Sequence, residues 1–183
     1  NIILMIMLTG LFAEEKYNEP KYKVLEKDGV IEVREYGEYV VAKTSINKNY
    51  DSSENNMFRT LASYIFGNNH DNAKIPMTAP VTTMSNKNSF EMIFYMLDAA
   101  NVSDLPTTDI KNIEFDTFNL GKCVVISFSW FTSEDRISKY KKKLDEYILD
   151  NNYEVVLPYM VNRYDPPWKL PFLRRNEVLV KIR

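Results

Sequence analysis

Several residue types that carry chemistry are scarce in this chain of 183 residues. There is one cysteine, Cys123, so an internal disulfide and a thiolate metal cluster are both excluded. There is one histidine, His70, so a zinc site built from several imidazoles is excluded as well. The chain has only 5 glycines and no glycine-rich phosphate-binding loop. A net charge of −2 gives no electrostatic basis for nucleic-acid binding.

Patterns typical of nucleophilic enzymes are missing too. The sequence has no G-x-S-x-G, and a Ser-His-Asp triad would depend on His70, which stands among polar loop residues. Cys123 lies in an apolar run and is interpreted as a buried structural thiol. We therefore predict a protein that is not an enzyme and has no catalytic residue.

The first thirteen residues, NIILMIMLTGLFA, are uncharged and mostly apolar. This run is too short to span a bilayer, and it fits the apolar region of a signal peptide that ends at Ala13. Residues 1–13 are therefore predicted to be a signal peptide, clipped at its start. We expect an exported protein, periplasmic or secreted, with no stable membrane insertion after cleavage. The alternatives are an anchor formed by the uncleaved segment and a plain buried strand.

Residues 21–183 are predicted to form one α+β domain. Aromatic residues make up 13% of the chain, which favours a β-rich core. Alternating apolar residues predict strands over 21–29, 30–37, 38–46, 89–98, 155–164 and 176–182. Helical spacing predicts one helix that begins near Asp51 and ends at Gly67, and a second that begins at Ser133.

The order of these elements repeats along the chain. VIEVREYG-EYVVAKTS aligns with NIEFDTFNLGKCVVISFS after a two-residue insertion, and a helix follows each stretch. The chain therefore predicts two β-β-α-β-β units, residues 30–97 and 112–182. Two such units can pair their strands into a distorted antiparallel β-barrel, with two helices packed on the sheet.

The first helix carries an apolar stripe that favours either a core face or a ligand pocket. Its members at helical spacing are Met57, Phe58, Leu61, Ala62 and Ile65. Methionines at positions 77, 84, 92 and 96 lie in or beside the strands nearby. Flexible methionines and aromatics line adaptable pockets, but they also fill ordinary cores, so both interpretations stay open.

Four stretches of the sequence resemble the SOUL haem-binding protein family. They are KIPMTAPV (74–81), YDPPWKLPFLRRNEV (164–178), FRTLASYIFG (58–67) and GVIEVREYGEYVVAKT (29–44). The resemblance implies a barrel of two pseudo-symmetric halves, with a tetrapyrrole such as haem or porphyrin in an apolar groove along the first helix. It implies tetrapyrrole contacts from Met57, Phe58, Leu61, Ala62, Ile65, Arg59, Lys74, Tyr164 and Trp168.

The family's basic positions that meet the haem propionates fall here on Asn55 and Ser63, and Arg59 or Lys74 are the nearby substitutes. No metal ligand is expected, and His70 is kept as the alternative axial ligand. The resemblance thus implies a monomeric, non-catalytic carrier or buffer of haem or another tetrapyrrole. The alternative is a small-molecule-binding protein or hydrolase that resembles the GyrI-like superfamily, for which an inward-facing Glu91 beside Tyr95 would be the mark.

Overall fold

The computed structural model describes residues 17–47, 54–87 and 89–183. The predicted signal peptide and the predicted helix cap at Asp51 lie outside these residues. The elements are β1 (Tyr22–Asp28), β2 (Ile31–Tyr36), β3 (Glu38–Asn47), α1 (Glu54–Ile65), β4 (Val81–Ser85), β5 (Ser89–Tyr95), β6 (Glu114–Asn119), β7 (Lys122–Phe128), α2 (Glu134–Asp150), β8 (Val155–Arg163) and β9 (Asn176–Ile182). Short 3-10 turns occupy Val102–Asp104 and Pro171–Leu173.

The nine strands of the described residues belong to one antiparallel sheet, in the order β1-β2-β7-β9-β8-β4-β5-β3-β6. Apart from β1, this order is symmetric about the β8–β4 pair, so that β2, β7, β9 and β8 correspond to β6, β3, β5 and β4. The predicted tandem of β-β-α-β-β units is therefore confirmed. In the β8–β4 pair at the centre of the sheet, Thr82 lies opposite Asn162, and Met84 lies opposite Met160.

The two helices cover one face of the sheet. Alternation along β7 and β9 turns Val124 and Val178 toward α2, where they pack with Leu144 and Ile148. In the other half, Ala42 and Phe94 pack against the buried residues of α1. The helices are amphipathic, so each buries only the stripe that faces the strands.

The opposite face, here called the inner face, has its own core. Val41, Ile93 and Tyr95 from one half pack with Val125 and Leu179 from the other. The sheet therefore curls on itself into a half-barrel, and both of its faces are buried at the centre. Within the described residues, no helix combines the length and the apolar character needed to cross a membrane.

Candidate functional site

The predicted apolar stripe of α1 is for the most part the face that the helix turns to the sheet. Met57, Leu61, Ala62 and Ile65 are all buried, and three of them belong to one cluster with strands β3 and β5. Their spacing of three and four residues brings them onto one side of the helix. Met57, Leu61 and Ile65 are thus brought together on the side that faces the sheet, whereas Ala62, next to Leu61 in the chain, is buried outside that cluster.

Phe58 is the member of that set that reaches the surface. Its side chain is 40% exposed, and its ring meets Phe94 edge-on at 5.4 Å between centroids. Phe66, which was not among the predicted contacts, is 64% exposed. Its N–H donates to the Ala62 carbonyl at 3.0 Å, so it continues the helical spacing beyond Ile65. Residues 58, 62 and 66 therefore form one stripe in which two exposed aromatics flank a small side chain.

Two basic residues lie close to this stripe along the chain. Arg59 follows Phe58, and Lys74 precedes Ile75, whose N–H donates to the Ile65 carbonyl at 2.8 Å; both basic side chains are exposed. Ser63 is half-buried and accepts a hydrogen bond from the Asn68 amide at 3.0 Å. The side chain of Asn55 lies outside the described residues.

His70 lies in the loop after α1 and is held there through both ring nitrogens. Nδ1 is 2.8 Å from the Thr107 hydroxyl, and Nε2 is 3.0 Å from the Asp109 carboxylate. The cavity beside it, of about 270 Å³, is smaller than the usual range for pockets of drug-sized ligands. Among the described residues, no group of three or more His, Cys, Asp or Glu side chains is placed to hold a metal ion.

Tyr164 and Trp168 lie in the corner between β8 and β9 but have different surroundings. The Tyr164 hydroxyl donates to Glu177 at 2.7 Å, and the Arg175 guanidinium lies 3.7 Å from the centre of its ring. Trp168 is 79% exposed. The corner therefore directs one aromatic side chain into the molecule and the other outward.

The contacts of Tyr164 belong to a buried ionic cluster on the inner face, here called the Glu177 cluster. Glu177 is fully buried, and its Oε1 accepts hydrogen bonds from Arg34 at 3.0 Å, from Arg175 at 3.0 Å and from Ser127 at 3.3 Å. With the bond from Tyr164 to Oε2, both carboxylate oxygens are engaged. The Glu177 carboxylate is therefore held by hydrogen bonds from within the protein at both oxygens.

Burial and the neighbouring charges both shift the pKa values of the residues in this cluster. Burial raises the pKa of the Tyr164 phenol well above its ordinary value, and the nearby Glu177 charge raises it further. Burial alone would lower the pKa of Arg34, but Glu177 and Tyr36 hold it above its ordinary value. The phenol therefore stays neutral and the guanidinium stays charged at any ordinary pH.

Few features of the sequence indicate this cluster. Glu32 and Arg34 alternate with apolar residues in β2, a pattern typical of a strand with one face in water, yet the Glu32 side chain is only 14% exposed and Arg34 is buried. Arg175 pairs with Glu177 and also with Glu19, at 2.9 Å. One signal in the sequence points to the buried carboxylate: Glu177 is an acidic residue in the mostly apolar run NEVLV.

The pair proposed as a mark of hydrolysis, Glu91 and Tyr95, lies on one face of β5. Alternation places Glu91 on the inner face with Ile93 and Tyr95, and it is half-buried there. The Tyr95 hydroxyl, however, receives a hydrogen bond from Thr82 at 3.2 Å. Burial raises the pKa of Tyr95 above its ordinary value, so this phenol is neutral. Cys123 is buried as expected, and burial raises the pKa of its thiol to about 12.

Solved structures of low sequence identity share the fold. A hydrolase from Listeria innocua is 10% identical, with a TM-score of 0.62 over 98% of each chain. The C-terminal domain of EcmrR is 14% identical, with a TM-score of 0.64 over 88% of this chain and 98% of that one. An uncharacterized conserved protein from Listeria innocua is 10% identical, with a TM-score of 0.60 over 92% and 94%.

Sequence comparison is more specific. A search among curated proteins finds no match to this chain. The model of the family described as SOUL heme-binding protein matches residues 17–181, which is nearly the whole chain. The two motifs that carry the resemblance, at 74–81 and 164–178, both lie within the match. The chain therefore belongs to the SOUL heme-binding protein family.

Proposed function

We propose that this protein is a non-catalytic carrier or buffer of haem or a related tetrapyrrole, which it holds along α1. The observation that carries the proposal is the stripe of Phe58, Ala62 and Phe66. Phe58 and Phe66 are exposed about two helical turns apart, and with the small Ala62 between them they would frame a shallow apolar notch. A flat macrocycle fits such a notch, and membership of the family supports a tetrapyrrole as the ligand.

Burial of apolar area would supply most of the affinity, at roughly 25 cal/mol per Å² before the ordering costs are subtracted. Arg59 and Lys74 are exposed near the stripe and would meet the propionates. Met57, Leu61 and Ile65 would support the groove from beneath, because they are packed against the sheet. Tyr164 donates to Glu177, so it would affect the ligand only through the position of the Glu177 cluster. Trp168 is exposed in the corner between β8 and β9 and is accessible to a ligand there.

A hydrolase on the same fold is less well supported. Such an enzyme needs a carboxylate that can take a proton from water or substrate. Glu91 is half-buried on the inner face but lies four residues from Tyr95 along β5, roughly 13 Å in an extended strand, so the two side chains are not adjacent. The Tyr95 phenol is neutral and bound to Thr82, and the buried Glu177 is bound by two guanidinium groups, a hydroxyl and a phenol. We place the protein among the binding proteins, as an exported monomer, and expect size-exclusion chromatography to return the mass of one chain.

Titration of the purified protein with haem and with metal-free protoporphyrin tests the proposal. We expect a Soret shift with haem, and quenching of intrinsic fluorescence with both ligands, because apolar burial rather than iron ligation holds them. Phe58→Asp should weaken binding by about tenfold or more, because it places a charge where the bound ligand would bury the apolar ring. Leu149→Asp is the matched control, because Leu149 is 76% exposed on α2. If haem causes no Soret shift at micromolar concentration, or if the two variants bind alike, the proposal fails.

A further inference from the structure

Six large apolar side chains are exposed on two loops at one end of the molecule, and we propose that they rest on the surface of a lipid bilayer. The loops are residues 129–133, between β7 and α2, and residues 164–175, between β8 and β9. The exposed side chains, here called the loop patch, are Trp130, Phe131, Trp168, Leu170, Phe172 and Leu173.

Direct contacts join the two loops into one surface. The Trp130 N–H donates to the Pro171 carbonyl at 2.8 Å. The Asn176 amide donates to the Trp130 carbonyl at 2.9 Å, and the Arg174 guanidinium lies 5.0 Å from the centre of the Phe131 ring. The aromatic residues of the first loop and the 3-10 turn of the second are therefore neighbours.

Polar contacts inside the second loop hold its shape while its apolar side chains stay exposed. Asp165 accepts hydrogen bonds from the Lys169 ammonium at 2.7 Å and from the Arg175 N–H at 2.5 Å. Arg174 donates to the carbonyls of Lys169 and Pro167. A loop fixed by these hydrogen bonds can keep its apolar side chains exposed to water. Contiguous exposed apolar patches of this kind are typical of interaction surfaces.

The chemistry of the loop patch fits a lipid surface. Tryptophan is enriched where membranes meet water, and lysine and arginine beside it attract anionic headgroups. In the second loop Lys169 pairs with Asp165, and Arg175 pairs with Glu19 and Glu177. Arg174 is bound to two carbonyls and lies against the Phe131 ring, so its charge is the one that the loop patch presents to anionic headgroups. Charge and apolar area therefore favour the same occupant, an anionic bilayer.

The start of the described chain lies at the same end of the molecule. Glu19 pairs with Arg175 at 2.9 Å, and the Ala79 N–H donates to the Asn18 carbonyl. The sequence before residue 17 includes the thirteen uncharged, mostly apolar residues 1–13. In a chain that keeps this segment uncleaved, a second weak membrane contact would strengthen the first.

Both tryptophans of the chain, Trp130 and Trp168, belong to the loop patch, so intrinsic fluorescence reports on it directly. The full chain would be mixed with vesicles of phosphatidylcholine, alone and with phosphatidylglycerol added. We expect co-sedimentation and a blue shift of tryptophan emission that are both stronger with the anionic lipid. An unchanged emission spectrum, or equal binding to the two kinds of vesicle, would overturn the proposal.

Two double variants distinguish the contribution of the loop patch to vesicle binding from that of residues 1–13. Both variants keep residues 1–13 unchanged, so a difference in binding between them must come from the loop patch. Phe172→Glu with Leu173→Glu keeps both tryptophans as reporters and should weaken vesicle binding by about tenfold or more. Leu149→Glu with Leu157→Glu adds the same charge at exposed sites outside the loop patch and should bind like the wild type. Equal binding by the two double variants would refute the proposal. So would concentration-dependent self-association that needs Phe172 and Leu173 but no lipid, since a second copy would then be the occupant.

The membrane contact does not rest on the proposed haem site. Phe58→Asp is expected to lose haem and to bind vesicles normally, whereas the Phe172/Leu173 variant is expected to keep its Soret shift. The failure of either proposal can therefore be seen independently of the other.

Discussion

Replacement of Glu177 by glutamine tests whether the Glu177 cluster holds the two halves of the protein together. The change keeps the shape of the side chain but removes its charge. Arg34 is then left buried with one carboxylate partner fewer, although Glu32 still accepts a hydrogen bond from it at 2.8 Å. Breaking a buried ion pair costs about 3–5 kcal/mol, and the remaining contact favours the lower end of that range.

A loss of about 3 kcal/mol in the free energy of unfolding corresponds to a fall in Tm of roughly 6–12 °C for a chain of this size. Urea unfolding followed by circular dichroism would measure the free energy, and calorimetry would measure Tm. Glu114→Gln is the matched control, because the Glu114 side chain is 69% exposed and the ammonium of Lys43, with which it pairs, is 3.8 Å away. The control should lie within about 0.5 kcal/mol of the wild type.

A double-mutant cycle with Arg34→Met identifies the interaction responsible. Residues in direct contact show coupling energies of about 0.5–3 kcal/mol, so the double variant should be clearly more stable than the sum of the single effects predicts. If the effects simply add, or if Glu177→Gln is as stable as Glu114→Gln, the Glu177 cluster does not hold the two halves together.

Three further outcomes are expected. Burial raises the pKa of Tyr95 above that of an unfolded tyrosine, so the unfolded chain releases this proton first and stability falls as pH rises above about 10. In urea unfolding between pH 8 and 11, Tyr95→Phe should leave the pH dependence unchanged below about pH 9 and reduce the slope above about pH 10, by up to about 1.4 kcal/mol per pH unit; an unchanged slope there would contradict the assignment. Leu144→Ala removes a fully buried side chain of α2 and should cost about 2–5 kcal/mol, whereas Leu149→Ala on the same helix, at an exposed position, should cost less than about 0.5 kcal/mol. Urea unfolding of the two variants checks this difference. His70→Ala should leave the Soret position and the haem affinity nearly unchanged, and loss of the Soret shift would make His70 the axial ligand after all.

Local sequence signals were sufficient to locate most elements. The last strand was predicted over residues 176–182, and β9 has those bounds. The second helix was predicted to begin at Ser133, which is the N-cap of α2. Prolines at 76 and 80 cannot donate to a strand ladder, and β4 begins directly after them at Val81. Each of these signals depends on residues within a few positions of the element.

The interior of the half-barrel could not be predicted in the same way. A strand with alternating polar residues is typical of a sheet with one face in water, and Arg34 fits that pattern. Its partner Glu177 is 143 residues away, and only the curl of the sheet brings the two together. Helical spacing likewise grouped Phe58 with Met57, Leu61 and Ile65. Spacing shows that these residues lie near one another on the helix, but it does not show which of them the sheet covers and which remains exposed.

The symmetric strand order has a consequence for how the protein could be divided. The first strand of each repeat pairs with the other repeat: β2 with β7, and β6 with β3. The chain is in effect a strand-exchanged dimer fused into one polypeptide, and neither half contains a complete sheet of its own. A cut in the connection between the repeats should therefore leave two fragments that stay associated. A single repeat expressed alone should reach a folded state only by exchanging its first strand with a second copy of itself.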